Sequence, residues 1–212
     1  MSFSLDFSSK RIQSLRHTAW VLALLAASQV LSGCVPLVIG SAVAGGTVVA
    51  ADRRTTKAVI EDESIELQVG SLMREMIGER AHINVTSYNR KVLLSGEVPT
   101  QRDFETAQQV ALGVDNVKTV VNELGLMSIS TFSQRTSDAV ITARVKTGLL
   151  DTRDLSSNAF KVVTEHGIVY LMGRVSAQEA LLATEVAATA TGVLKVVRLL
   201  DIIPPEELAR MR

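Results

Sequence analysis

The chain has 212 residues, with 22 basic and 22 acidic side chains balancing to zero and a single cysteine. That balance speaks against nucleic-acid binding, which usually shows a basic surplus, and one cysteine allows no disulfide within the chain. Aromatic residues are only 4%, so the core must be aliphatic, in one ordinary domain or two small ones.

Residues 1–33 have the layout of a secretory signal peptide. A basic stretch (Lys10, Arg11, Arg16) precedes an apolar run from about Ala19 to Leu31, and small residues lead up to Cys34. Leu31-Ser32-Gly33-Cys34 resembles a bacterial lipobox. In that class the cysteine sulfur takes a diacylglyceryl group, the peptide is cut before it, and the new N-terminus is acylated. The thiol forms the thioether, and the small residues let the peptidase reach the backbone. Cys34 is therefore expected to be the lipidated first residue. Losing Lys10, Arg11, Arg16 and Asp6 with the signal leaves 179 residues, 19 basic against 21 acidic, a net charge of −2. The segment 34–61 opens with Gly, Ala and Val in no clean helical period and reads as an apolar tether. The alternative is an uncleaved transmembrane helix, although Pro36, Gly40, Gly45 and Gly46 interrupt it. Residue 35 is Val rather than Asp. By the sorting rule of enteric Gram-negative lipoproteins, this implies the outer membrane, lipid-anchored and facing the periplasm.

From residue 62 the chain repeats itself, and the repeat decides the fold class. In the first copy Ile65, Val69 and Met73 fall at helical spacing. Ile83–Thr86 then reads as a strand, Asn89-Arg90-Lys91 as a turn and Val92–Val98 as the returning strand. In the second copy Ile141, Val145 and Leu149 match at an offset of 76. Phe160–Val163 and Val169–Val175 follow at 77, with Glu165-His166-Gly167 as the turn between them. Both copies continue with a capped helix, opening at Thr100 and Ser176, and end in a β-branched strand, Val117–Val121 and Val193–Val197. Gly96 and Gly173 share one position, read as a close approach of backbone to the following helix. The predicted class is α+β: two tandem αββαβ units, each a small mixed three-stranded sheet with one face covered by two helices. The expected boundaries are 62–124 for the first unit, 125–137 for a linker, 138–203 for the second unit and 204–212 for a tail. Pro204-Pro205 opens that tail, which has room for one or two helical turns.

These units resemble BON domains, which share the αββαβ layout, the hairpin glycine and a Val-rich last strand. A lipobox, a Gly/Ala segment and two such units resemble the dual BON-domain outer-membrane lipoproteins. The likeness is especially strong over Ala81–Thr86, Lys91–Leu94, Tyr170–Gly173 and Val140-Ile141-Thr142 with Val145 and Leu149-Leu150. It implies an envelope-integrity lipoprotein that binds anionic phospholipid, such as phosphatidylglycerol or cardiolipin, through its second unit.

No catalytic constellation is visible. His17 leaves with the signal, His82 precedes a strand and His166 lies in a turn, none with a second His or Cys at ligand spacing. No glycine-rich phosphate loop joins a strand to a helix, and Asp and Ser residues fall at caps and turns. The expectation is no enzyme, no metal, no cofactor and no nucleic-acid partner.

The first helices of the two copies differ on a helical wheel. In the first, Ile65, Val69, Leu72, Met73 and Met76 form the core stripe, and of the opposite face only Leu67 is apolar. In the second, Ile141, Val145 and Leu149 face the core, while Ala139, Val140, Ala143, Thr147 and Leu150 face away between Arg144 and Lys146. An outward apolar strip with basic edges suits an interfacial element. Residues 62–124 carry 6 basic and 10 acidic groups against 7 of each in 138–201, so an anionic surface repels the first copy more. With the resemblance, lipid contact is assigned to Val140, Ile141, Arg144, Lys146 and Leu150, although family relatives carry an aromatic where this chain has Val140. Two alternatives stay open: the strip packs against the first copy or the linker, or it docks outer-membrane assembly or cell-wall proteins.

Overall fold

The computed structural model describes residues 52–210. Cys34, the signal and the tether up to residue 51 lie outside the described residues.

The first unit runs α1 (Thr56–Met76), β1 (His82–Tyr88), β2 (Lys91–Val98), α2 (Gln101–Leu112) and β3 (Thr119–Leu126). The second repeats it as α3 (Phe132–Asp151), β4 (Phe160–Glu165), β5 (Ile168–Val175), α4 (Ala177–Thr189) and β6 (Lys195–Ile202), followed by a short α5 (Pro205–Ala209). Each sheet is mixed. Its middle strand, β2 or β5, pairs antiparallel with the strand before it and parallel with the last strand of the unit. The α+β class and the αββαβ order are thus as expected, with two bounds moved. Helix α1 starts at Thr56, because Thr55 caps it by accepting from the Ala58 N–H at 3.2 Å. Strand β3 runs to Leu126 and α3 starts at Phe132 under a Thr131/Gln134 capping box, so little of 125–137 is a free connection.

Two aspartates at an offset of 76 tie each first helix to its hairpin. Asp62, on α1 and 1% exposed, accepts from the N–H groups of Asn89 and Arg90 at 2.7 Å each, and from the Ser87 hydroxyl at 2.7 Å. Asp138, on α3, accepts from the His166 and Gly167 N–H groups at 2.9 and 2.8 Å. Both turn residues of both hairpins have positive φ (Asn89 52°, Arg90 67°, His166 51°, Gly167 72°), the geometry of a tight two-residue hairpin. That conformation is costly for Arg90 and His166, and hydrogen bonds to a buried carboxylate offset the cost.

On the helix side of the first sheet, Ile65, Val69 and Met73 pack with Val92, Leu94, Val98, Ala107 and Ala111. The second core matches it, with Ile141, Val145 and Leu149 against Val169, Leu171, Val175, Ala183 and Ala187. Small alanines on α2 and α4 let those helices lie close to the sheet. Gly96 and Gly173 do mark a close approach, but to a different partner. A Cβ would lie 2.1 Å from the His82 carbonyl oxygen at Gly96 and 2.5 Å from the Ala159 carbonyl oxygen at Gly173. The crowding comes from the antiparallel neighbour strand, not from the following helix.

The other face of each sheet is buried too, which the one-faced reading missed. Tyr88 and Leu93 of the first unit meet Tyr170 and Met172 of the second in one apolar cluster, edged by Val121, Val163, Ile168, Val197 and Leu199. The middle strands are consequently covered on both sides, and their unbroken apolar runs (Val92-Leu93-Leu94, Val169–Met172) are what doubly covered strands show. Around this centre lies a polar rim. Lys91 Nζ donates to Asp201 at 2.7 Å, Asn89 to Asp201 at 3.0 Å, Asn84 to Glu165 at 2.8 Å and Lys161 to Glu66 at 2.5 Å. The segment entering α1 is pinned across the same junction. Arg53 forks onto Glu179 at 2.6 and 2.7 Å, and Arg53 and Arg174 each donate to the other's carbonyl oxygen.

Burial opposes ionisation of Glu179 and Asp201, yet Arg53 and the Ser176 N–H outweigh it at Glu179, and Lys91 and Asn89 outweigh it at Asp201. Both carboxyls are held below their ordinary values. The unfolded chain therefore binds more protons than the folded one as pH falls below about 4.5, and stability drops there. The expected outcome is a melting temperature that falls from pH 5 to pH 3, with a smaller fall in the Glu179→Gln/Asp201→Asn double variant, read by circular dichroism.

Candidate functional site

Among the described residues, helix α3 presents an exposed apolar strip. Val140 (43% exposed), Leu150 (66%) and the neighbouring Ala139 and Ala143 face solvent, as do Arg144 and Lys146. The alternative in which this strip is covered by the first unit or the connection is thereby set aside. Ile141 departs from its assignment. It is buried beneath α3, 7% exposed, packed in the second core and against the backbone at Gly192. It supports the surface from below and exposes little of itself at the groove floor.

Sequence reading missed Phe132, because it placed residues 125–137 in a linker. Phe132 opens α3 and is 79% exposed. It precedes Leu150 by eighteen residues, five full turns, so the two lie on one azimuth about 27 Å apart. Ala139 and Ala143 fall between them within about 20° of that line at 100° per residue. Extending the wheel by two turns would have found it. This phenyl ring supplies, at the helix start, the aromatic group that Val140 lacks. The approach to α3 adds Met127 and Ile129, both more than 40% exposed. A shallow groove lined by Phe132, Thr136, Val140, Ile141, Arg144 and Gly192 runs along this flank. Arg144 donates to the Thr191 carbonyl oxygen at 3.0 Å, which holds the α4–β6 loop beside α3. That loop carries Leu194, 81% exposed.

The equivalent helix of the first unit is less plain than expected. Met76, read as core, is 54% exposed, and Ile60 joins Leu67 on the outer face. Met76 closes the helix where the stripe has already rotated off the sheet. Charge separates the two helices more clearly. Helix α1 carries Lys57 and Arg74 against Glu61, Asp62, Glu63, Glu66 and Glu75. Helix α3 carries Arg135, Arg144 and Lys146 against Asp151 and the buried, clasping Asp138. Among the described residues no helix is long and apolar enough to cross a membrane.

One grouping was invisible to sequence spacing. His82, on β1, and His166, in the β4–β5 turn, both reach the Glu97 carboxylate on β2. Nδ1 of His82 lies 3.2 Å from Oε2, and Nε2 of His166 contacts Oε1.

A profile of the BON domain matches residues 61–126 and 137–204. Outer membrane lipoprotein DolP of Haemophilus influenzae is 37% identical over 180 residues, covering 82% of this chain and 91% of that protein. The chain belongs to the dual BON-domain DolP family. A 21 kDa hemolysin of Actinobacillus pleuropneumoniae is 34% identical over 154 residues, 72% of this chain and 79% of that one. Osmotically-inducible protein Y of Escherichia coli is 34% identical over 98 residues, 45% of this chain and 49% of that one. Membership of the DolP family gives the chain an outer-membrane lipoprotein role.

The two halves of the Val140-Ile141 pair separate in a stability measurement. Ile141→Ala is expected to cost about 2–5 kcal/mol, as for large-to-small changes in a core. Val140→Ala is expected to stay within about 0.5 kcal/mol, as for an exposed site. Urea denaturation of the two variants checks this.

Proposed function

We propose that this DolP-family protein recognises anionic phospholipid, such as phosphatidylglycerol or cardiolipin, through the outer face of α3, without catalysing a reaction, and so supports envelope integrity from the periplasmic side of the outer membrane. The observation that carries the reading is the Phe132–Leu150 line, apolar along its length and edged by Arg144 and Lys146. A helix of this kind lies in the plane of an interface, its apolar atoms at the acyl boundary and its cations at phosphate.

Acylation of Cys34 would supply attachment, since several acyl chains hold a protein far more firmly than a surface helix does. The helix then selects where the protein sits. Arg53, pinned to Glu179, starts the described chain on the second unit, so a tether reaching back to the bilayer leaves from beside that unit. The charge excess on α1 fits the same arrangement, because an anionic surface disfavours it.

The test is vesicle pelleting of the mature chain, residues 34–212, carrying Cys34→Ala, so that neither the apolar signal nor an acyl group contributes. The expected result is binding to phosphatidylglycerol vesicles and little to neutral phosphatidylcholine vesicles. Each basic side chain near an anionic surface adds about 1 kcal/mol, so the Arg144→Glu/Lys146→Glu variant is expected to bind at least about 30-fold more weakly. Phe132→Ser removes an apolar anchor of about 1.5–3 kcal/mol and is expected to weaken binding about tenfold or more. Equal binding to neutral and anionic vesicles, or no response to the charge reversal, would favour the surface as a docking face for outer-membrane assembly or cell-wall proteins instead. Separately, mass spectrometry of the N-terminus purified from membranes is expected to show a triacylated Cys34; a chain starting at Met1 with a free thiol would remove the anchor.

A further inference from the structure

At one end of the sheet-on-sheet junction, side chains from both units converge on two buried carboxylates. Glu97 of β2 is fully buried and Glu165 of β4 is 5% exposed. His82 stands beside them, and the ligand atoms of His82, Glu97 and Glu165 all lie within 4.8 Å of one another. The alternation of β1, β2 and β4 places all three on the junction face of their sheets.

The surroundings look like those of a ligand set held in place. Glu97 Oε2 faces His82 Nδ1 at 3.2 Å and accepts from the Ser130 N–H at 3.2 Å, while Oε1 meets His166. His166 is itself fixed by the Asp138 clasp on its N–H. Glu165 is the under-satisfied member: among the described residues its carboxylate accepts only from Asn84, at 2.8 Å on Oε2. Its other oxygen has no partner among them and opens onto a cleft, where a ligand entering from solvent can meet it. The hydroxyl of Ser130, beside Glu97, is also buried without a partner.

We propose that His82, Glu97 and Glu165 form a divalent transition-metal site of the zinc class that staples the two BON units together. At metal–ligand distances of about 2.0–2.1 Å, donor atoms of a tetrahedral site stand about 3.3 Å apart. The His82–Glu97 pair already has that spacing, and Glu165 has only to swing inward. One imidazole with two carboxylates favours Zn²⁺ and its neighbours over Ca²⁺ or Mg²⁺. A fourth position remains for water, and an open cleft lined by His82, Asn84, Arg135, Thr142 and Glu165 leads to it from solvent. His166 touches the far oxygen of Glu97 and acts as a positioning residue, the usual outer partner of a ligating carboxylate. Glu97 and His82 come from the first unit and Glu165 from the second, so the ion would resist separation of the two sheets.

The experiment is isothermal titration of the full chain carrying Cys34→Ala, which removes the only thiol that could compete, with Zn²⁺, Mg²⁺ and Ca²⁺ in separate runs. The expected result is one Zn²⁺ per chain, a raised melting temperature, and no response to Mg²⁺ or Ca²⁺. His82→Asn and Glu165→Gln are each expected to weaken Zn²⁺ binding by at least about 100-fold. His166→Asn, which tolerates positive φ, is expected to weaken it about 10–100-fold. Asp115→Asn, on the exposed α2–β3 loop, serves as the unchanged control. In the unsubstituted histidine background, nitrogen NMR is expected to show the His82 imidazole signals moving on Zn²⁺ addition, a readout that needs no altered fold. Absence of binding up to millimolar Zn²⁺, unmoved His82 signals, or stoichiometric binding that survives His82→Asn/Glu165→Gln would overturn the proposal.

Discussion

A buried aspartate on the first helix of each unit, reaching the backbone of its own hairpin turn, is the contact on which the rest of the structure depends. Asp62 and Asp138 each accept two turn N–H groups that no strand can use. Unpaired, those groups would be costly beside a buried carboxylate, and hydrogen bonds to a charge are worth about 1.5–3 kcal/mol each. The clasp sets the rotation of each first helix against its sheet. In the first unit that brings Ile65, Val69 and Met73 inward, and in the second it brings Ile141, Val145 and Leu149 inward. The outward face of α3 is then what remains.

The same clasp positions different side chains at the two hairpin tips. In the first unit the turn supplies Asn89, which reaches across to Asp201. In the second the equivalent turn supplies His166, which reaches across to Glu97. Each hairpin therefore touches the opposite unit at its tip, while Tyr88, Leu93, Tyr170 and Met172 fill the space between the sheets. Units of about 60 residues bury too little surface to be robust alone. Joining them face to face covers both middle strands and leaves the helices outside, available for contact with something else. On α3 that outer surface carries the line of Phe132, Ala139, Ala143 and Leu150 with basic residues beside it. On α1 it carries Glu61, Glu63, Glu66 and Glu75 against Lys57 and Arg74.

Pinning of Arg53 to Glu179 and Arg174 gives the junction a further consequence. The point at which the chain enters α1 lies against the second unit, although α1 itself belongs to the first.

Much was legible in the residues themselves, because it rests on short-range regularities. The offset of 76–77 announced the duplication, period-3.6 and period-2 patterns placed the helices and strands, and Thr100 and Ser176 marked caps that the structure shows. The outward position of Val140 and Leu150 followed from helical geometry alone. What failed depended on contacts between distant segments. Phe132 was lost because a helix start is set by a capping box rather than by apolar periodicity, Met76 because a wheel cannot say how far a core extends, and the glycine neighbours because strand register decides which backbone is close. Ile141 was placed in the core by the wheel, and only the resemblance put it at the lipid surface. The meeting of His82, Glu97, Glu165 and His166 has no trace in spacing, since the four residues span 85 positions and two units. Local patterning by itself therefore determined the units and their order. Only the packing of one sheet on the other decided which polar groups are buried together, because that choice depends on side chains from two sheets sharing one low-dielectric space.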